Sequence, residues 1–336
     1  MIAVRPLLLA LAAVASLCGC AQAQTHPPAL AVERTIALAN VRGRIDHLAF
    51  DLHRRLLAIA ELENGSVDIV DLSAGAVAHR ISGLGEPQGL AFDRGGALLI
   101  VADRADGAVH FFNTRDFAPV GALRLGADAD NVRIDPRNGR AIVGFGDGAL
   151  AIIDVDARAL VARIALPAHP ESFQIDSDTG LAFVNLPDRH AIAAVALDTG
   201  GVTPWALPSM FYNFPLALDP ASTHLASVFR LPARLALFDR NTGALLASAP
   251  TCGDSDDAFF DARRHRIYVA CGAGAVDVFD SQDATLAHVG RVGTASGART
   301  ALFVPELDRL FVAVRARADA QASILELRPV AGDVRD

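Results

Sequence analysis

Polar side chains of types that bind ligands return at one spacing along this chain of 336 residues. Asp46-His47, Glu86 with Gln88, Asp130-Asn131, Glu171, Asn213, Asp256-Asp257 and Arg299 stand at or just beside positions about 42 residues apart. A fold that repeats at that period brings them to one place. Crowded carboxylates repel, and relief comes from a bound cation or from raised pKa values, both marks of function. Oxygen ligands from Asp130, Glu171, Asp256 and Asp257 suit Ca²⁺ or Mg²⁺, whereas His47 beside carboxylates admits Zn²⁺ or Mn²⁺. Arg299 among acids can neutralise one of them or clamp an anionic substrate. Arg230, at the end of Ser227-Val-Phe-Arg230, is a further ligand-binding candidate. In a metal-dependent hydrolase or lyase the ion polarises a carbonyl and one of Asp130, Glu171 or Asp257 acts as base. His47 or Arg299 then steadies the oxyanion. His47, Glu171, Asp257 and Arg299 are therefore the catalytic candidates. The plainer reading of the same residues is a water-filled channel lined by solvated polar groups.

The elements that position them are read from the repeat. Leu48-Ala-Phe-Asp51, Leu90-Ala-Phe-Asp93, Val132-Arg-Ile-Asp135, Phe173-Gln-Ile-Asp176, Leu216-Ala-Leu-Asp219, Ala258-Phe-Phe-Asp261 and Ala301-Leu-Phe-Val304 recur at intervals of 42, 42, 41, 43, 42 and 43. Each is followed by a polar turn and a second apolar run, such as Leu98-Leu-Ile-Val101, which reads as a hairpin. A third run ends in Asp or Asn, as in Val67-Asp-Ile-Val-Asp71, and a fourth strand completes the unit. Four short strands per repeat is the spacing of a propeller blade. The expected fold is thus all-β, a seven-bladed β-propeller over residues 33–329, with a pair of β-sandwiches as the alternative. The last copy holds only three strands, and Arg34-Thr-Ile-Ala-Leu38 supplies the fourth, closing the ring and removing its edges.

Composition excludes several classes. All 30 cations are Arg, so Schiff-base, pyridoxal-phosphate and P-loop lysines are absent. The net charge of −8 without a basic run argues against nucleic acid. No G-x-S-x-G, H-E-x-x-H or dinucleotide motif occurs, and without C-x-x-C-H there is no covalent c-type haem. Residues 1–23 read as an export signal with an apolar stretch too short to span a membrane, and no transmembrane span is expected. Leu17-Cys-Gly-Cys20 resembles a lipobox, with residues 1–19 as the signal and a lipid anchor on Cys20, while Ala21-Gln-Ala23 fits ordinary secretion. Residues 24–32 are a linker and 330–336 a tail. The product is expected in the periplasm or outside the cell, as a monomer. In an oxidising compartment Cys252 and Cys271 are a disulfide candidate, the other reading being two buried thiols.

The repeats, with phrases such as Gly83-Leu-Gly-Glu-Pro-Gln-Gly89 and Gly146-Asp-Gly-Ala-Leu-Ala-Ile-Ile-Asp154, resemble the YncE-like, YVTN-type β-propellers of exported bacterial proteins, within the quinoprotein and cytochrome-d1-like superfamily. The resemblance covers Arg34 to Leu327 and implies the fold more than the function. Its members include lactonases, lyases, cofactor enzymes and binding scaffolds. Quinoprotein dehydrogenases carry repeated tryptophan motifs, whereas Trp205 is the only tryptophan here, which speaks against PQQ. Three functions are carried forward. The first is binding of a small molecule or exported partner at one channel mouth. The second is a metal-dependent, lactonase-like hydrolase or lyase, and the third is a protein-interaction scaffold using the rim.

Overall fold

The computed structural model describes residues 29–330 apart from 284. It holds seven four-stranded antiparallel sheets, the blades of a β-propeller. The innermost strands are Leu48–Asp51, Pro87–Phe92, Ala129–Ile134, Phe173–Ile175, Phe211–Leu218, Ser255–Asp261 and Ala301–Val304, of blades 1 to 7 in that order. The expected export signal with Cys20, most of the expected linker and nearly all of the expected tail lie outside the described residues. Among the described residues no helix is long and apolar enough to cross a membrane.

The recurrent aspartates are turn makers. Asp51 Oδ1 accepts the N–H groups of His53 (2.9 Å) and Arg54 (3.1 Å), and Asp135 and Asp219 hold Arg137 and Ala221 in the same way. The third-strand Asp71 likewise accepts from Ser73 at 2.7 Å. Such a side chain caps the turn that follows its strand, so the most regular feature of the repeat is structural. Second and third strands are buried on both faces, as in Leu57-Ala-Ile-Ala60 and Leu99-Ile-Val-Ala102. They pack blade on blade: Ala102 and Phe111 of blade 2 meet Val132 and Val143 of blade 3. Outer strands such as Pro119–Arg124 are largely exposed.

Closure comes from Leu30–Leu38, which pairs antiparallel with Ala322–Pro329 from Leu30↔Pro329 to Leu38↔Ala322. The strand is longer than Arg34 to Leu38 because Leu30 is itself buried against blade 6 residues such as Tyr268 and Val278. At its other end Ile36 and Leu38 pack with Leu57 and Val70 of blade 1. Arg34 donates to Glu326 (2.8 Å) beside it and to the Leu72 carbonyl (2.9 Å) of blade 1. A disulfide joins Cys252, in the loop entering blade 6, to Cys271 at the end of that blade's second strand.

Candidate functional site at the channel mouth

The candidate residues sit where the innermost strands begin, and four of those strands are bulged there. In blade 3, Ala129 pairs with Phe145 and Val132 with Val143, leaving Asp130 and Asn131 between them. Blades 2, 5 and 6 break register at the same place. A bulge leaves residues out of the ladder and re-aims their side chains, which is how consecutive residues both come to bear on the mouth. Blades 1 and 4 arrive by matching hydrogen bonds, Asp46 N–H to Ala60 O (2.7 Å) and Glu171 N–H to Asn185 O (3.0 Å). Gly89, like Phe214 and Pro215 of blade 5, is apolar at this place. A Cβ on Gly89 would come within 2.0 Å of the Asp130 carbonyl oxygen, so blade 2 needs glycine for blade 3 to approach.

On one side, charged groups run across blades 4, 3 and 1. His169 Nε2 lies 3.8 Å from Asp130 Oδ2, and His47 Nε2 lies 3.8 Å from Asp130 Oδ1 and 3.9 Å from Asp46 Oδ1. Arg44 pairs with Asp46 at 2.8 Å. His169 Nδ1 is 2.6 Å from the Gly146 carbonyl, which can only accept, so Nδ1 carries the proton. Burial works against charge on His169, but Asp130 and Gly146 outweigh it and push the imidazole up to about 9. Burial also opposes charge on His47, which Asp46, Asp257 and Asp130 nevertheless raise. Glu171, buried beside Asp130, is pushed up to about 8 and is protonated at neutral pH. Burial raises Asp46 as well, and it would raise Asp130, but the two imidazoles hold that carboxyl below its usual range.

On the other side, Asp256 is clamped by arginines. Arg230 Nη2 donates to one oxygen at 2.6 Å, and Arg299 Nε forms an ion pair with the other at 2.8 Å without hydrogen-bond geometry. Arg299 also bonds Asp254 at 2.8 Å, and Arg230 stacks over Phe214 at 3.9 Å. Asp257 Oδ2 accepts the Ala301 N–H at 2.8 Å, and burial, partly offset by His47, pushes the carboxyl up to about 6. Arg133, on the blade 3 inner strand, has Asp257 and Asp130 as its nearest acids and is lowered by burial. It has no carboxylate within 4 Å among the described residues.

The remaining candidates divide. Glu86 lies on the exposed rim, where Arg104 bridges it (3.0 Å) and Asp128 (3.1 Å). Gln88 is buried, and Asn131 is buried with its Oδ1 unpartnered. Asn213 is turned away from the channel: its amide donates to Asn185 Oδ1 (2.9 Å) and the Ala191 carbonyl (3.0 Å), forming with Ser227 a buried tie between blades 4 and 5.

The four carboxylates weighed as metal ligands do not converge. Among the described residues, ligand atoms of three His, Cys, Asp or Glu side chains come within 4.8 Å of one another only at Asp103, Asp106 and His110 in blade 2. There Asp103 is taken by the Gly85 and Glu86 N–H groups and Asp106 by Arg124. The ring is balanced by arginine and imidazolium instead. Asp256 and Asp257 are engaged by protein donors, Arg230 and Arg299 on the first and the Ala301 N–H on the second.

Arg44, Asp128 and Asp254 escaped the sequence reading; they and His169 stand two residues before Asp46, Asp130, Asp256 and Glu171, and aligning that position as well shows them. Arg133 replaces the small residue of Leu-Ala-Phe-Asp, a departure visible in the repeat itself. A cavity of about 420 Å³ opens at the opposite end of the channel, between Gln174, Asp176, Ala217, Asp219, Phe259 and Phe303. Two of its acids are spent on turns, Asp176 on Thr179 and Asp219 on Ser222, and the polar mouth is the stronger candidate. In comparisons with known proteins, no family model matches the chain and no curated protein matches its sequence.

Proposed function

We propose that this β-propeller is a binding protein that takes a small polar molecule at the mouth bearing Asp46, His47, Asp130, His169 and Glu171. The supporting observation is the spacing of the charged chain. Separations of 3.8–3.9 Å at His169–Asp130–His47–Asp46 exceed a direct hydrogen bond, so each pair can share a water or ligand atom set to one side of the line between them. Groups this buried need such partners, since an unsatisfied buried polar group is costly. The imidazoles and the protonated Glu171 carboxyl offer donors, and Asp130 accepts.

The resemblance to exported YncE-like, YVTN-type propellers and the Cys252–Cys271 disulfide support a periplasmic or secreted location, since disulfides persist in oxidising compartments. The test is thermal denaturation of the purified protein against a library of small polar metabolites, repeated with Asp130→Asn and His169→Ala. Hits that raise Tm in the wild type are expected to lose about tenfold or more in affinity in both variants, the order expected for a lost charge-assisted bond. Hits that bind both variants unchanged would overturn this assignment.

A further inference from the structure

Three blades carry an arginine at one repeat position near the end of the second strand: Arg104 and Arg315, just after it in blades 2 and 7, and Arg230, its penultimate residue in blade 5. Two have acids. Arg104 bridges Glu86 and Asp128 at 3.0 and 3.1 Å, and Arg230 holds Asp256 at 2.6 Å. Arg315 has no carboxylate within 4 Å among the described residues, and its Nε is buried without a hydrogen-bond partner. The charges that act on it include two more cations, Arg299 and Arg44, together with the acids Glu63 and Asp254. Those two arginines are committed to Asp254 and Asp256 and to Asp46, and the Arg44 Nε is likewise buried and unpartnered. Ala29 and Val330, the ends of the described chain, bond each other beside Leu30 and Pro329, opposite the strand end that leads from Leu38 to Arg44 and Asp46.

A partly buried guanidinium whose shielded Nε has no partner, and whose neighbouring charges include two other arginines, gains from an anion that completes it. Guanidinium presents a planar fork matched to two oxygens of a carboxylate or phosphate. We propose that Arg315, supported by Arg299 and Arg44, is an anion subsite on the blade 7 and blade 1 side of the mouth, which binds the carboxylate or phosphate group of the ligand. The inference rests on the mouth being the binding site and adds the class of ligand: a small molecule with an oxyanion at one end and, toward His47 and Glu171, groups that exchange hydrogen bonds.

The experiment uses three probes on the full chain, succinate, inorganic phosphate and uncharged succinamide, with binding read by calorimetry and by the shift in Tm. Arg315→Gln is compared with Arg104→Gln, the same repeat position with its charge already paired. Succinate or phosphate is expected to bind the wild type and Arg104→Gln alike and to lose about tenfold or more in affinity with Arg315→Gln, while succinamide binds weakly to all three. Preference between the two anions distinguishes a carboxylate from a phosphate site. Should Arg315→Gln fold poorly, Arg315→Lys keeps the charge without the fork and is expected to weaken the anions while leaving the fold intact. Removal of the repulsion also predicts that Arg315→Gln melts no lower than the wild type in anion-free, low-salt buffer. Equal binding of succinate and succinamide would overturn the anion subsite while leaving a binding mouth. So would anion binding unchanged in Arg315→Gln, or no response of the wild type to either anion. Loss of binding only in Asp130→Asn and His169→Ala would confine the site to the imidazole side.

Discussion

Replacing Glu171 by Gln isolates the cost of the buried carboxyl, since the two side chains share a shape and differ in whether they ionise. In the folded protein burial and the Asp130 charge raise Glu171 from 4.5 to about 8. In the unfolded chain it ionises near the ordinary value. The folded state therefore holds a proton that the unfolded state releases. On account of this group, stability is full below pH 4.5 and declines as pH rises toward 8. At about 1.4 kcal/mol per pH unit, the 2.5 units from 4.5 to pH 7 give at most about 3 kcal/mol, and relaxation of the coupled neighbours brings the expected effect to about 1–2 kcal/mol. Glu171→Gln does not ionise and escapes this decline.

Urea denaturation of wild type and Glu171→Gln from pH 5 to 8 measures the difference, and every titration common to both cancels. The variant is expected to match the wild type near pH 5 and to gain on it steadily as pH rises. A difference that stays flat across that range would mean that Glu171 is ionised and compensated at neutral pH. A variant that loses ground as pH rises would show the carboxylate to be the favoured form. Either result would refute the account of the mouth as a site holding a neutral carboxyl beside Asp130.

The closing strand carries Ile36 in the core between blades 7 and 1, so Ile36→Ala is expected to cost about 2–4 kcal/mol in urea denaturation. A change below about 1 kcal/mol would mean that the ring does not depend on that strand. Replacing both Cys252 and Cys271 by Ala opens a loop of sequence separation 19 and is expected to cost about 2–4 kcal/mol. Thiol titration of the unfolded wild type without reductant should find neither residue free.

The architecture was legible because packing and turn chemistry repeat. Leu-Ala-Phe-Asp marks an inner strand whose last side chain caps the next turn, and both jobs are identical in most blades. The site was legible only in part because it lives where the blades differ. Asp130, Glu171 and Asp256 stood out as departures, but what each touches depends on neighbours far away in sequence. Asp256 was weighed as a metal ligand, and Arg230 and Arg299, 26 and 43 residues away, claim both of its oxygens. Asn213 stands just beside the mouth position, yet its amide finds the Ala191 carbonyl and Asn185 and turns inward. His169 is not legible from its own neighbours, because the Gly146 carbonyl that orients it belongs to the blade before.

The bulges explain why chemistry collects at this end. An inner strand in regular register presents alternate residues to its two neighbouring blades, and both faces must then be apolar to pack. Slipping the ladder at Asp130-Asn131 and at Asp256 frees side chains from that requirement where the chain arrives at the channel. The opposite ends of the same strands have no such freedom, because Asp51, Asp135, Asp176 and Asp219 are each committed to a turn. The two ends of the channel thus differ in what they can vary without loss of fold. The mouth can exchange Asp for His, Glu or Arg blade by blade, and it is there that cations and carboxylates have been set against one another with room left between them.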